Sequence, residues 1–214
     1  MAAITAVMAA NPATPPEHQL QQQQRLLDRY GDQAALRYRA WRKLLLTQQQ
    51  QTPMAKAEAI NTFFNQFRFG NDSTIWGQKN YWATPMEFIG LAYGDCEDFA
   101  LAKYLSLQML GLAEQSLRLV YVKATQLNQY HMVVAYYPTP QSEPWILDNL
   151  NGNIVKASKR PDLKPIFSFS GDKFWLDGAS GSRQVANRPA LSQWTQFSQR
   201  RLRGQMNLPP YLKD

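Results

Sequence analysis

Up to Leu112 the apolar residues of this chain recur at helical intervals, and from Leu117 onward they alternate, so the sequence is committed to helices first and antiparallel strands afterwards. That order implies an α+β domain in which helices lie on one face of a sheet. In the first half, Leu26, Leu27, Tyr30, Leu36, Trp41, Leu44 and Leu45 are spaced helically over residues 20–51, with a break at Gly31 that makes two helices. A third helix starts at Pro53, a good first-turn residue, and stops near Gly70. Residues 70–95 carry Gly, Asn, Asp and Pro at short intervals and read as a long irregular connection with a short helical stretch over 85–89. Next, Phe99, Ala102, Leu105, Met109 and Leu112 fall on one face of a helix that begins at Cys96 and ends at Gly111. This helix is expected to be buried on one side, against the sheet.

Beyond the switch, residues 117–123 and 130–137 read as strands. Residues 145–150, then Asn151-Gly152, then 153–156 read as a hairpin. Residues 166–169 and 174–176 add strands, and the Arg-rich stretch 191–203 is helical; there is no internal repeat. A hydrophobic fraction of 44% over 214 residues is enough for one domain with a substantial core, expected over 17–214. Residues 1–16 read as a flexible N-terminal segment or signal-peptide remnant: MAAITAVMAA is small and apolar but lacks a positively charged n-region. No other segment approaches membrane-spanning length.

The net charge of +7, with clusters at Arg37, Arg39, Arg42, Lys43 and at Arg200, Arg201, Arg203, raises the question of nucleic acid. Without zinc-finger spacing, a helix-turn-helix pattern or an RNP-type aromatic motif, no nucleic-acid partner is expected. An acidic partner or an anionic membrane surface fits the same charge.

One cysteine excludes an internal disulfide, so Cys96 is either an inert core thiol or a reactive one. At the start of a helix, unpaired backbone N–H groups and the positive dipole end favour a thiolate. A thiol nucleophile needs a base within reach, and the base needs a group to orient its second nitrogen. His18 lies in the Pro- and Gln-rich N-terminal stretch, which leaves His131, on a predicted strand. Strand alternation puts His131 on the face of Val133 and Ala135, small residues that would admit the Cys96 helix. Asp148, at the end of the next strand, can reach His131 across an antiparallel pair. Taken singly, His131 also suits a structural role, and Asp148 before Asn149 also suits a turn.

The run Trp82, Thr84, Pro85, Glu87, then Gly94-Asp95-Cys96-Glu97-Asp98 followed by Ala100, together with Tyr130-His131-Met132-Val133 and Leu147-Asp148-Asn149, resembles the bacterial transglutaminase-like cysteine proteinases. The similarity extends over most of the chain, including Tyr30-Gly31 and Trp41, and the G-D-C-E-D block is its most specific part. The resemblance implies a papain/transglutaminase-like fold with a triad of Cys96, His131 and Asp148. It further implies a periplasmic, calcium-requiring endopeptidase. Such an enzyme cuts the N-terminal region of a large surface adhesin at a pair of alanines, releases it and disperses biofilm. A regulatory partner is also implied, an inner-membrane receptor for cyclic di-GMP that sequesters the protease, and the basic patch at Arg200 and Arg201 is a candidate contact for it.

Calcium has a physical rationale as well. Asp95, Glu97 and Asp98 crowd negative charge around a group that must become anionic, and a hard divalent cation would cancel that penalty. The resemblance assigns the metal to Asp95 and Glu97. On a regular helix Asp95 and Asp98 share a side and Glu97 points elsewhere, so convergence needs a bend before the helix. The alternative is that these acids only cap the helix; the spacing is not that of an EF-hand. Trp82 is expected beside the nucleophile, as an indole N–H donor, a groove wall or plain core packing, and the Cys96 backbone N–H is the expected oxyanion donor. Amide acyl transfer and a non-catalytic peptide-binding module are the rival functions.

Overall fold

The computed structural model describes residues 16–178, 181–185 and 191–212, so all of the N-terminal segment 1–16 except Pro16 lies outside the described residues. Helices α1 (Glu17–Tyr30) and α2 (Asp32–Gln48) are divided at Gly31, whose φ of 83° is open to glycine at little cost. Helix α3 (Pro53–Phe64) is started by Thr52, whose hydroxyl accepts from the Ala55 N–H. The irregular connection contains two short helices, α4 (Asp72–Ile75) and α5 (Pro85–Leu91), the second begun by a Thr84–Glu87 capping box. Strands β1 (Arg68–Phe69) and β2 (Tyr93–Gly94) pair in parallel around them and deliver the chain to α6 (Cys96–Met109).

The strands that follow are β3 (Leu117–Ala124), β4 (Gln129–Tyr136), β5 (Trp145–Leu147), β6 (Val155–Lys156), β7 (Leu163–Ser170), β8 (Lys173–Gly178) and β9 (Gly181–Val185). They form one antiparallel sheet in the order β6-β5-β4-β3-β7-β8-β9, and α7 (Ser192–Leu202) comes after it. The β5–β6 hairpin exists, but its connection runs over residues 148–154 rather than tightly through Asn151-Gly152. Strand β5 stops at Leu147 because Asp148 turns away to other partners. Among the described residues no helix is long and apolar enough to cross a membrane.

Two expectations about α6 are overturned. The helix is not one-sided: Asp98 through Leu107 are all buried, because α3 and α5 pack on it as well as the sheet. Nor does it sit on the Val133/Ala135 face. Phe99, Leu101 and Leu107 share a core cluster with Met132, Val134, Tyr136 and Leu147, whereas Val133 and Ala135 join Val120, Val122, Ile146 and Leu163 in a second cluster. Both faces of β4 are apolar, so alternation cannot say which one takes the helix, and the larger side chains offer the greater burial at about 25 cal/mol per Å².

Candidate active site

Cys96 is the first residue of α6 and Asp95 its N-cap in extended backbone. The approach is tight: a Cβ on Gly94 would lie 2.5 Å from Asp98 Oδ2 and 2.8 Å from the Phe88 ring. Strand β5 covers β4 only over Val134–Tyr136, so the earlier part of β4 is uncovered on that side. There the Met132 backbone N–H faces the Cys96 sulfur and favours its thiolate, while the thiol donates to Glu97 Oε2 at 3.0 Å. Burial pushes the thiol well up, the Glu97 and Asp95 charges push it further, and the Met132 N–H opposes them.

His131 precedes Met132, and its Nε2 is 2.6 Å from Asp148 Oδ1. Both residues are buried. Asp148 Oδ1 also accepts from the Leu150 N–H at 3.0 Å, and Oδ2 from Arg160 Nη1 at 2.7 Å. Burial alone would raise the Asp148 carboxyl, but the hydrogen bond and charge of His131, with Leu150 and Arg160, hold it at about 2. It is therefore ionised at neutral pH. The Asp148 backbone is held too: its carbonyl accepts from Asn65 Nδ2 at 2.9 Å, and Asn65 Oδ1 accepts from the buried Lys103 Nζ at 2.6 Å. With Nε2 taken by Asp148, Nδ1 is the imidazole nitrogen left for a thiol. His18 is exposed in the first turn of α1.

Beside the cysteine lies an acidic group, and its membership differs from the expected set. Ligand atoms of Asp72, Asp95 and Glu97 lie within 4.8 Å of one another. Asp98 is turned inward instead, completely buried, with Oδ1 accepting from the Ala83 N–H at 2.7 Å and Oδ2 from the Asp95 N–H at 3.4 Å. Glu97 converges with Asp95 instead, and α4 contributes Asp72 as the third carboxylate. The group fits a hard cation: Asp72 Oδ1 and Asp95 Oδ1 are buried oxygens without a hydrogen-bond partner. Burial, then the charges of Asp98, Glu97 and Asp72, pushes Asp95 up to about 11. Asp72 rises to about 6, mainly through burial, with Glu97 adding to it against the Tyr81 N–H. A divalent ion would remove that repulsion. Asp72 was not among the expected ligands, since Asn71-Asp72 in a Gly- and Asn-rich stretch carries only a turn signal.

Trp82 donates its indole N–H to Asn80 Oδ1 at 3.1 Å and stacks on the buried Phe169 at 6.3 Å between ring centroids, contacts that pack it against the core. Tyr121, opposite Met132 in the β3–β4 register, stacks between Tyr130 and Phe167 at 5.3 and 4.9 Å, and Tyr130 is exposed. Burial raises the Tyr121 phenol, and the charges of Cys96 and Glu97 add to this, so the aromatic shelf lies within electrostatic reach of the sulfur. Arg200 donates to the Trp82 carbonyl and lies 4.1 Å over the Tyr81 ring, which commits it to holding the 81–82 segment.

Residues 28–162 match the family model described as bacterial transglutaminase-like cysteine proteinase. The EGTA-treated structure of Legionella pneumophila LapG is 38% identical, with a TM-score of 0.75, over 85% of this chain and 96% of that one. The calcium-bound structure of the same protein is 38% identical, with a TM-score of 0.73, over 85% of this chain and 98% of that one. A comparison with curated proteins gives no match. The arrangement of helices and antiparallel sheet is thus the transglutaminase-like fold expected from the sequence.

Proposed function

This chain belongs to the bacterial transglutaminase-like cysteine proteinases, and on that premise we propose that Cys96, His131 and Asp148 are the catalytic set of a calcium-dependent periplasmic endopeptidase. One observation carries the reading: an imidazole fixed through Nε2 by an ionised carboxylate, on the residue next to Met132, whose backbone N–H faces the one thiol in the sequence. His131 Nδ1 takes the Cys96 proton, and Asp148 stabilises the imidazolium that forms. The sulfur attacks a peptide carbonyl, and the Cys96 N–H at the start of α6 is placed to stabilise the oxyanion. His131 then protonates the leaving amine and activates water against the thioester. Asp72, Asp95 and Glu97 would hold calcium, which when bound supplies positive charge beside the sulfur and offsets the acids there. Asp98 keeps the loop in place.

The substrate we propose is the N-terminal region of a large surface adhesin, cut at a di-alanine site, with release of the adhesin and biofilm dispersal as the outcome. The periplasmic domain of an inner-membrane cyclic di-GMP receptor is the proposed regulator, and Arg201, which is exposed, remains available to it. Kinship with LapG supports both, and the aromatic shelf of Tyr121, Tyr130 and Phe167 supports an extended peptide substrate beside Cys96. The test is incubation with the N-terminal region of an adhesin from the same genome, with calcium or with EGTA, and mass mapping of the new termini. Calcium-dependent cleavage between two alanines, lost in Cys96→Ala, is expected. Undiminished cleavage by Cys96→Ala would refute the assignment, and cross-linked product in place of new termini would favour acyl transfer.

A further inference from the structure

We propose that Arg160 is a positioning residue for this reaction, holding the Asp148 carboxylate in the orientation that presents Oδ1 to His131; the inference rests on the catalytic reading above. A carboxylate at the end of a short side chain can turn about its last bond, and one hydrogen bond does not stop it. Here two atoms are held separately: Oδ1 by His131 and Leu150, Oδ2 by Arg160 Nη1 at 2.7 Å. Arg160 is itself clamped. Its Nε and Nη2 donate to Asp162 Oδ1 and Oδ2 at 3.0 and 2.9 Å, so the planar fork bridges two carboxylates and cannot swing.

The setting strengthens the hold. Arg160 is 6% exposed and Asp148 1%. On its other side Arg160 walls a cavity of about 280 Å³ on the sheet face away from α6, beside Val122, Val133, Ala135 and Ile146. Burial this deep limits the water that could compete for the carboxylate or the guanidinium where they meet. The Arg160 guanidinium bonds Asp148 and Asp162, so it acts on His131 through Asp148. The chain Asp162–Arg160–Asp148–His131 therefore transmits a fixed geometry from the entry of β7 to the base. Lysine would keep the positive charge but not the fork, since a single ammonium cannot bridge both carboxylates in one plane.

The experiment compares Arg160→Lys, Arg160→Met and Asp162→Asn with the parent, measuring kcat and KM against pH per thiol titrated with an irreversible inactivator. Thermal melts accompany the kinetics. Arg160→Lys is expected to lose about 10- to 100-fold in kcat with KM within about twofold, as orienting partners do elsewhere. Its acid limb is expected to move to lower pH, because a loosened Asp148 stabilises the imidazolium less at unchanged local charge, so the neutral base persists further into acid. Asp162→Asn should lose less, and Arg160→Met more. If Arg160→Met does not fold, the other two variants decide. A kcat per thiol within twofold of the parent in Arg160→Lys, with an unmoved acid limb, would reduce Arg160 to a fold-supporting role and overturn the inference. Should the parent cleave nothing, the proposed function fails but this inference is still read: the chain has two histidines, and an NMR titration of His131 unchanged by Arg160→Lys would overturn it.

Discussion

Asp148 Oδ1 meets His131 Nε2 at 2.6 Å across the point where β5 ends, and three donors converge on that one carboxylate: His131, the Leu150 N–H and Arg160. Asparagine has a single acceptor oxygen, so Asp148→Asn cannot serve all three. If its oxygen faces Arg160, the amide nitrogen faces His131 and forces the wrong tautomer. If the oxygen faces His131, an N–H₂ is driven against the guanidinium. A loss of about 10²- to 10⁴-fold in kcat is therefore expected, in the range found for such a change in another Asp–His pair. Steady-state kinetics would check it, and near-parental turnover would mean that the pair is structural.

Calcium is expected to stabilise the folded protein, by about 2.7 kcal/mol at a hundred times its dissociation constant. The rise in Tm should vanish in Asp72→Asn and Glu97→Gln, each of which removes one charge from the cluster. Asp98→Asn separates ligand from scaffold. It should keep calcium binding within a few-fold by calorimetry yet cost about 1–3 kcal/mol, because one of the Ala83 and Asp95 N–H groups loses its acceptor. The opposite pattern, with affinity lost in Asp98→Asn and kept in Asp72→Asn, would return Asp98 to the ligand set.

These residues also mark where the sequence is readable. Cys96, His131 and Asp148 stand out because each belongs to a local pattern, a helix start or a strand end, and the switch of period near Leu112 orders the elements correctly. Asp72 and Arg160 are silent: one opens a helix of a single turn and the other lies between β6 and β7, and the partners that matter, Asp95 and Glu97 for Asp72 and Asp148 for Arg160, are brought to them by the tertiary fold. The face of β4 that takes α6 is undetermined for another reason. Met132, Val133, Val134 and Ala135 are all apolar, so the alternation carries no polarity to read. Asp98 misleads because helix geometry groups it with Asp95, whereas its carboxylate is drawn back by the Ala83 N–H.

Gly94 offers a test of the approach to α6 that leaves every reactive group in place. A methyl there would meet Asp98 Oδ2 and the Phe88 ring inside van der Waals contact, both within the buried core. Gly94→Ala should destabilise the fold by about 1–3 kcal/mol, and displacing Asp98 should lower activity as well. Thermal melts with kinetics would check this. A variant that melts like the parent would show that the loop has room to give.

Lys103 supplies the pH dependence. Buried within α6, it bonds Asn65 Oδ1, and burial lowers its ammonium to about 7 although the Asp148 charge opposes this. The unfolded chain keeps lysine near its ordinary value of about 10.4. Between these values the unfolded state binds the extra proton, so this residue's contribution to stability rises as pH increases from about 7 to about 10, and below 7 the folded state carries the full cost of a buried charge. At about 1.4 kcal/mol per pKa unit the span is a few kcal/mol. Lys103→Met removes the titration, at the loss of the Asn65 contact. The Tm of the variant minus that of the parent should therefore fall steadily as pH is raised from 7 to 10. A difference that stays flat would mean that Lys103 remains charged in the fold, held by Asp148 more strongly than burial opposes it.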